Sequence, residues 1–196
     1  MKVAILKYNA GNVFSVDCAL RRLGVEPIVT DNVEQLRRAD KVVFPGVGEA
    51  SSAMAYLRSR HLDELIRSLT QPVIGICIGQ QLLCRNSEEG NTECIGVFDT
   101  SVKRFSEAPG VKVPEMGWNT IKPLVDNPLL KGIDENSYVY YVHSYYVPVC
   151  DDTIAVTDYS LPFSAAMNKD NFYATQFHPE KSGGVGELIL KNFLIL

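Results

Sequence analysis

This sequence predicts an α/β fold: a mostly parallel central sheet with helices on both faces, plus an antiparallel or mixed extension. Three observations carry that prediction. Short apolar runs of strand length alternate with amphipathic stretches through the N-terminal part of the chain. One such run, Val73 to Ile76, passes through Gly75-Ile-Cys-Ile-Gly79 straight into good helix formers, Gln80 to Cys84. Beyond about Glu88 the segments shorten, gain β-branched and aromatic residues, and are separated by Gly, Pro, Asn and Asp.

Taken in order, Lys2 to Lys7 predicts the first strand, because Val3, Ala4, Ile5 and Leu6 form an unbroken apolar run. Tyr8-Asn-Ala-Gly-Asn12 predicts a turn, with Asn12 as N-cap of the following helix. That helix has the buried stripe Val13, Val16, Leu20 and Leu23, and Gly24 stops it. Pro27 to Thr30 predicts the second strand and Val33 to Arg38 a short polar helix. Lys41 to Phe44 predicts the third strand, ending at Pro45-Gly-Val-Gly48. Helix is expected from about Glu49 to Ser68 with a break near His61, and Val73 to Ile76 is the fourth strand. Strand and helix alternating at this pace argue for right-handed crossovers. The extension strands are expected at Ser101 to Phe105, Asn119 to Pro123, Ser137 to His143, Thr153 to Thr157, Phe163 to Met167 and Phe172 to Phe177. Gly183 to Leu196 closes the chain as a helix, with Val185, Leu188, Ile189, Phe193 and Leu194 at helical spacing. No repeat, low-complexity tract or linker interrupts residues 1–196, which read as a single domain.

Composition narrows the function. A net charge of −4 offers no basic footprint for nucleic acid. Met1-Lys-Val-Ala-Ile-Leu-Lys7 is too short for a signal peptide or membrane span. Five cysteines form an odd set without framework spacing, which points to a reducing cytoplasm. There is no Cys-x-x-Cys and the three histidines are scattered, so neither a metal nor a cofactor is expected.

The chemistry centres on Cys77. Glycines two residues away on either side let the chain turn sharply at the strand end and leave the thiol proud, facing the start of the next helix. The alternative is an inert buried cysteine, the reading preferred for Cys18, Cys84, Cys94 and Cys150. Simple packing, however, gives the two glycines no use. A free thiol with a pKa near 8.5 is only about 3% thiolate at pH 7, so a nucleophilic Cys77 needs a base. His61 sits in an Arg-rich, exposed stretch and reads as a surface residue; His143 follows the aromatic strand Tyr138-Val-Tyr-Tyr-Val142 and reads equally as a site wall or a satisfied structural group. His178, in Gln176-Phe-His-Pro-Glu180, directly follows a predicted strand. Pro179 biases it away from helix, and in extended chain His178 and Glu180 share a face as a base and its orienter. Oxyanion donors are expected from the Ile78 N–H and from the Val47 peptide, with Gly46 and Gly48 allowing that peptide to turn. A plain tight turn explains the same glycines equally well.

Together, Gly75-Ile-Cys-Ile-Gly-Gln-Gln81 and Phe177-His-Pro-Glu180 resemble the triad-type, class I glutamine amidotransferases. Tyr8 to Val16, Phe44 to Gly48, Ser87 to Glu89, Pro114-Glu-Met-Gly-Trp-Asn119, Tyr141 to Tyr145 and Gln176 to Ser182 narrow the resemblance to the glutaminase subunits of imidazole glycerol phosphate synthases. The resemblance implies that Cys77 forms a thioester with glutamine, helped by His178 and Glu180, and that ammonia passes to a separate (β/α)₈ cyclase subunit in histidine biosynthesis. It implies that Gly46, Gln81, Glu89, Ser144 and Tyr145 hold glutamine, and that Asn12, Met116, Trp118 and Lys181 face the cyclase. By residue type alone, Trp118, the single Trp, would be expected in the core. Two positions depart from the pattern. Ile78-Gly-Gln-Gln81 stands where Leu-Gly-Met-Gln is common, and Glu115 stands where the family commonly has His. A glutaminase serving a different synthase shares the triad motifs. A cysteine peptidase would use the same pair without a glutamine pocket, and a non-enzymatic binding subunit would leave the thiol silent.

Overall fold

The computed structural model describes residues 1–9 and 11–196, so the predicted turn at Tyr8 to Asn12 includes one residue, Ala10, outside the described set. The alternating half runs β1 (Val3–Leu6), α1 (Val13–Arg22), β2 (Ile28–Thr30), α2 (Val33–Arg37) and β3 (Lys41–Phe44). It continues with α3 (Ala50–Ser59), α4 (Leu62–Ser68), β4 (Val73–Ile76) and α5 (Ile78–Leu83). The second half is β-rich: β5 (Cys84–Ser87), β6 (Thr92–Glu93), β7 (Phe98–Arg104), β8 (Glu115–Thr120), β9 (Lys122–Pro123), β10 (Tyr138–His143) and β11 (Tyr145–Tyr146). It ends with β12 (Thr153–Tyr159), β13 (Leu161–Lys169), β14 (Phe172–Thr175) and α6 (Gly183–Ile195). The expected helical break is real: His61 takes a left-handed backbone, φ 54°, between α3 and α4.

The central sheet has the order β2-β1-β3-β4-β14-β13-β12-β9. Pairing is parallel from β2 through β14 and antiparallel from β14 to β9. Strand β1 is buried on both faces, which is why it reads as a continuous apolar run. Ala4 and Leu6 pack with Met54, Leu57, Leu65 and Leu82 on one face. Val3 and Ile5 pack with Val16, Leu20, Ile189 and Phe193 on the other. Helices therefore cover both sides, with α3, α4 and α5 opposite α1 and α6. Among the described residues no helix is long and apolar enough to cross a membrane.

Two expectations for the β-rich half are corrected. The aromatic strand β10 does not join the central sheet; it pairs antiparallel with β8 in a separate two-stranded ribbon, Tyr140 opposite Trp118 and His143 opposite Glu115. The strand expected over Asn119 to Pro123 is two pieces, β8 ending at Thr120 and β9 at the sheet edge. Alternation marks a strand but carries no information about which distant strand it pairs with. The helix read at Gln80 to Cys84 starts earlier, and Cys84 already belongs to β5, in a four-stranded sheet ordered β11-β7-β5-β6.

Candidate active site

β4 delivers Cys77 into a sharp turn. Its backbone lies at φ 53° and ψ −107°, a conformation that a non-glycine residue keeps only where its surroundings enforce it. Close packing does so here. A Cβ on Gly79 would stand 2.1 Å from the Phe44 carbonyl oxygen, and one on Gly75 would stand 2.8 Å from the Gly79 carbonyl. Both glycines are steric requirements of the elbow. The Cys77 N–H donates to the Thr175 carbonyl at 2.8 Å, tying the turn to β14. Ile78 and Gly79 open α5, so their N–H groups have no acceptor within that helix.

His178 follows β14 and is fully buried. Its backbone is extended, but Pro179–Lys181 then forms a 3₁₀ turn, which corrects the expectation of extended chain through Glu180. Proline favours the first position of such a turn, where its fixed φ fits and its missing N–H costs nothing. Glu180 reaches back from the turn, and its Oε1 accepts from His178 Nδ1 at 2.7 Å. His178 Nε2 is left buried with no hydrogen-bond partner. Burial by itself would lower the imidazole pKa. The neighbouring Cys77 sulfur, and then Glu180, more than offset it and push the group up to about 10.

Asn12 occupies the N-cap position of α1 but does not cap it. At φ 71° it makes no side-chain bond to the helix; its amide instead donates to Glu180 Oε1. A hydrogen bond to a buried carboxylate is stronger than one from a neutral helix N–H, and the capping expectation gives way to it. The mouth of the site is a cavity of about 270 Å³ lined by Val47, Gly48, Cys77, Ile78, Gln81, Glu89, Pro114, Val142, His143, Ser144 and Tyr145. It thus gathers residues from the elbow, the loop after β3, the turn after β5 and the β10–β11 corner. Gly46 is buried and does not line it. Glu89 is the single carboxylate on its wall. Burial raises the Glu89 pKa, against the opposing Ala50 N–H, which donates to it at 2.7 Å. Of the two loop glycines only Gly48 takes positive φ, at 143°, and the Val47 carbonyl accepts from the Gly11 N–H at 3.1 Å.

Trp118 is 56% exposed and Met116 66% exposed, so the core reading of the single tryptophan is corrected. Both project from the uncovered face of the β8–β10 ribbon, where Trp118 meets Tyr140 edge-on at 5.9 Å. Lys181 lies over the same Tyr140 ring, also at 5.9 Å, and Asn12 contacts Glu180 one residue away. Gln176 has no role expected from its residue type, yet its Nε2 lies 3.7 Å from Cys77 Sγ and its side chain is fully buried. Strand alternation gives no signal for it, because β14 ends at Thr175 and the chain bends at Gln176 and Phe177.

The class-I glutamine amidotransferase family model matches residues 5–196. The imidazole glycerol phosphate synthase subunit HisH of Bacteroides fragilis is 61% identical, covering 100% of both chains. The protein of the same name from Escherichia coli is 47% identical over 99% of each. Among solved structures, a putative GMP synthase component from Thermoplasma acidophilum superposes with a TM-score of 0.77 at 22% identity, covering 99% of this chain and 92% of that one, which shows a shared fold. With a cysteine elbow facing a buried His–Glu pair, and with these matches spanning nearly every residue, the chain belongs to the class-I glutamine amidotransferases.

Proposed function

We propose that this chain is the glutaminase subunit of an imidazole glycerol phosphate synthase, acting in the cytoplasm in histidine biosynthesis. One observation carries the reading: a cavity sized for a small metabolite, with a nucleophilic elbow at its floor and a single carboxylate on its wall. A relative of that name matches end to end at 61% identity.

In this reading the Cys77 thiolate attacks the side-chain amide carbon of glutamine. The tetrahedral oxyanion is met by the Ile78 N–H and by the peptide joining Val47 and Gly48. His178, protonated at neutral pH, gives its Nε2 proton to the leaving ammonia, and Glu180 holds the imidazole in register. Water, with His178 now acting as base, releases glutamate from the thioester. Glu89 neutralises the substrate α-ammonium, and Gln81, Ser144 and Tyr145 complete the pocket. A (β/α)₈ cyclase subunit docks over Asn12, Met116, Trp118 and Lys181 and receives the ammonia, forming a heterodimeric lyase. The Val47 carbonyl is held by Gly11, next to Asn12, so the oxyanion loop is tied to the face that the cyclase covers.

The test is glutamine-dependent turnover of the cyclase substrate by the reconstituted pair. Glutamine hydrolysis should be low for the isolated chain, should rise when the partner and its ribonucleotide bind, and should vanish in Cys77→Ser. Efficient ammonia delivery to a different synthase, with none to this cyclase, would overturn the assignment.

A further inference from the structure

Glu115 and His143 form a second buried acid–imidazole pair, separate from the His178–Glu180 pair, and nothing in the proposed chemistry uses it. They face each other across the β8–β10 ribbon, with side chains only 5% and 2% exposed and Glu115 Oε2 3.0 Å from His143 Nε2. The other imidazole nitrogen settles the tautomer. His143 Nδ1 lies 2.7 Å from the Tyr145 carbonyl oxygen, which can only accept, so Nδ1 carries a proton. One further proton is then shared between Nε2 and Glu115, whose Oε1 accepts from Asn119 at 2.9 Å. As an ion pair or as a neutral acid and imidazole, the unit has no net charge, which suits its burial among Phe105, Tyr141 and Phe163.

The Tyr145 carbonyl has a second donor, Gln81 Nε2 at 3.0 Å. The other Gln81 N–H goes to Gln176 Oε1 at 2.9 Å, and Gln176 Nε2 points at Cys77 Sγ. Beyond the carbonyl, donors therefore run one way, from Gln81 through Gln176 to the nucleophile. Both amide hydrogens of Gln81 are committed, and Gln81 can offer the cavity only its Oε1, an acceptor.

We propose that Glu115 and His143 are positioning residues that hold the Tyr145 carbonyl where Gln81 donates to it, so that Gln81 keeps its Oε1 acceptor in place for an N–H of bound glutamine. The proposal rests on the glutaminase reading and names the element that orients its substrate. If the imidazole donor is lost, the Tyr145 carbonyl is held by Gln81 alone, the β10–β11 corner is free to shift, and the Gln81 Oε1 loses its fixed place opposite the glutamine N–H.

The decisive variant is the double substitution His143→Phe with Glu115→Leu, which fills the same space with apolar groups and leaves no unpaired buried charge. With the partner present, its KM for glutamine should rise about tenfold while kcat stays within about threefold, as expected for a lost binding contact. Glu115→Gln supplies one donor and one acceptor in the same places and should keep KM within about twofold of native. A folded double variant with native KM would overturn the proposal. Imidazole ¹⁵N spectra of the native chain test it without any variant. They should show Nδ1 of His143 protonated across the neutral range, and an unprotonated Nδ1 would overturn it. Should the native complex turn over no glutamine, the glutaminase reading fails, and the imidazole spectra still decide whether the dyad is built as described.

Discussion

At the scale of single residues, His178 owes its charge to its neighbours. Burial lowers its pKa, whereas the Cys77 sulfur and Glu180 raise it to about 10. Removing the sulfur removes the larger of the two raising causes, so in Cys77→Ala the His178 pKa should fall well below about 10. Imidazole NMR titration reads this directly. The folded value is raised above the ordinary 6.5, so the stability contributed by protonated His178 is fully present below pH 6.5. It is lost as pH rises through about 10, which melting temperatures across that window should trace. Glu89 supplies a second residue-scale expectation. As the single carboxylate on the cavity wall, it should matter to binding more than to chemistry, so Glu89→Gln should raise KM for glutamine about tenfold with kcat within about threefold. Roles of this kind were legible where the side chain's chemistry is unusual in its setting, as for Cys77 and His178. They were not legible for Gln176, whose amide is ordinary until the fold sets it 3.7 Å from the sulfur.

At the scale of elements, the elbow and the 3₁₀ turn are both set by how closely backbones approach. Gly79 lets α5 cross the end of β3, and a methyl there would overlap the Phe44 carbonyl. Gly79→Ala should therefore displace Cys77, costing roughly 2 kcal/mol or more of stability and nearly all glutaminase activity. Gly24→Ala is the control. It has open space but φ 78°, so it should cost only about 1 kcal/mol and leave activity intact. Urea denaturation alongside glutaminase assays separates the two. The glycine spacing announced the elbow because only tight backbone contact explains two glycines beside one cysteine. The turn after His178 departs from the extended chain that the motif predicts, because Pro179 is compatible both with extended chain before it and with a 3₁₀ start at it. Glu180 meets the imidazole by either route, so the motif predicts the pairing without fixing the backbone that makes it.

At the scale of the whole molecule, the β8–β10 ribbon stands off the central sheet with one face uncovered. Its exposed Met116, Trp118 and Tyr138 make an apolar surface beside Lys181 and Asn12. Such a surface is expected to be covered by a partner, with the tryptophan as anchor. Trp118→Ala should weaken the complex with the cyclase at least about tenfold, measured by calorimetry, while the melting temperature of the isolated chain stays close to native. A variant that binds normally but melts early would return Trp118 to a structural role. The sequence by itself determined the alternating layers, the elbow, the order in which Cys77, His178 and Glu180 follow one another and the family, because these depend on periodicity, on backbone sterics and on motifs contiguous in the chain. Only the tertiary structure decided that β10 leaves the sheet to pair with β8, that Asn12 serves Glu180 instead of its helix, and that Glu115, His143, Gln81 and Gln176 form one chain ending at the thiol. Those contacts join residues far apart in the sequence, and hydrogen-bond partners at such separations are chosen by how whole elements pack, which no local pattern encodes.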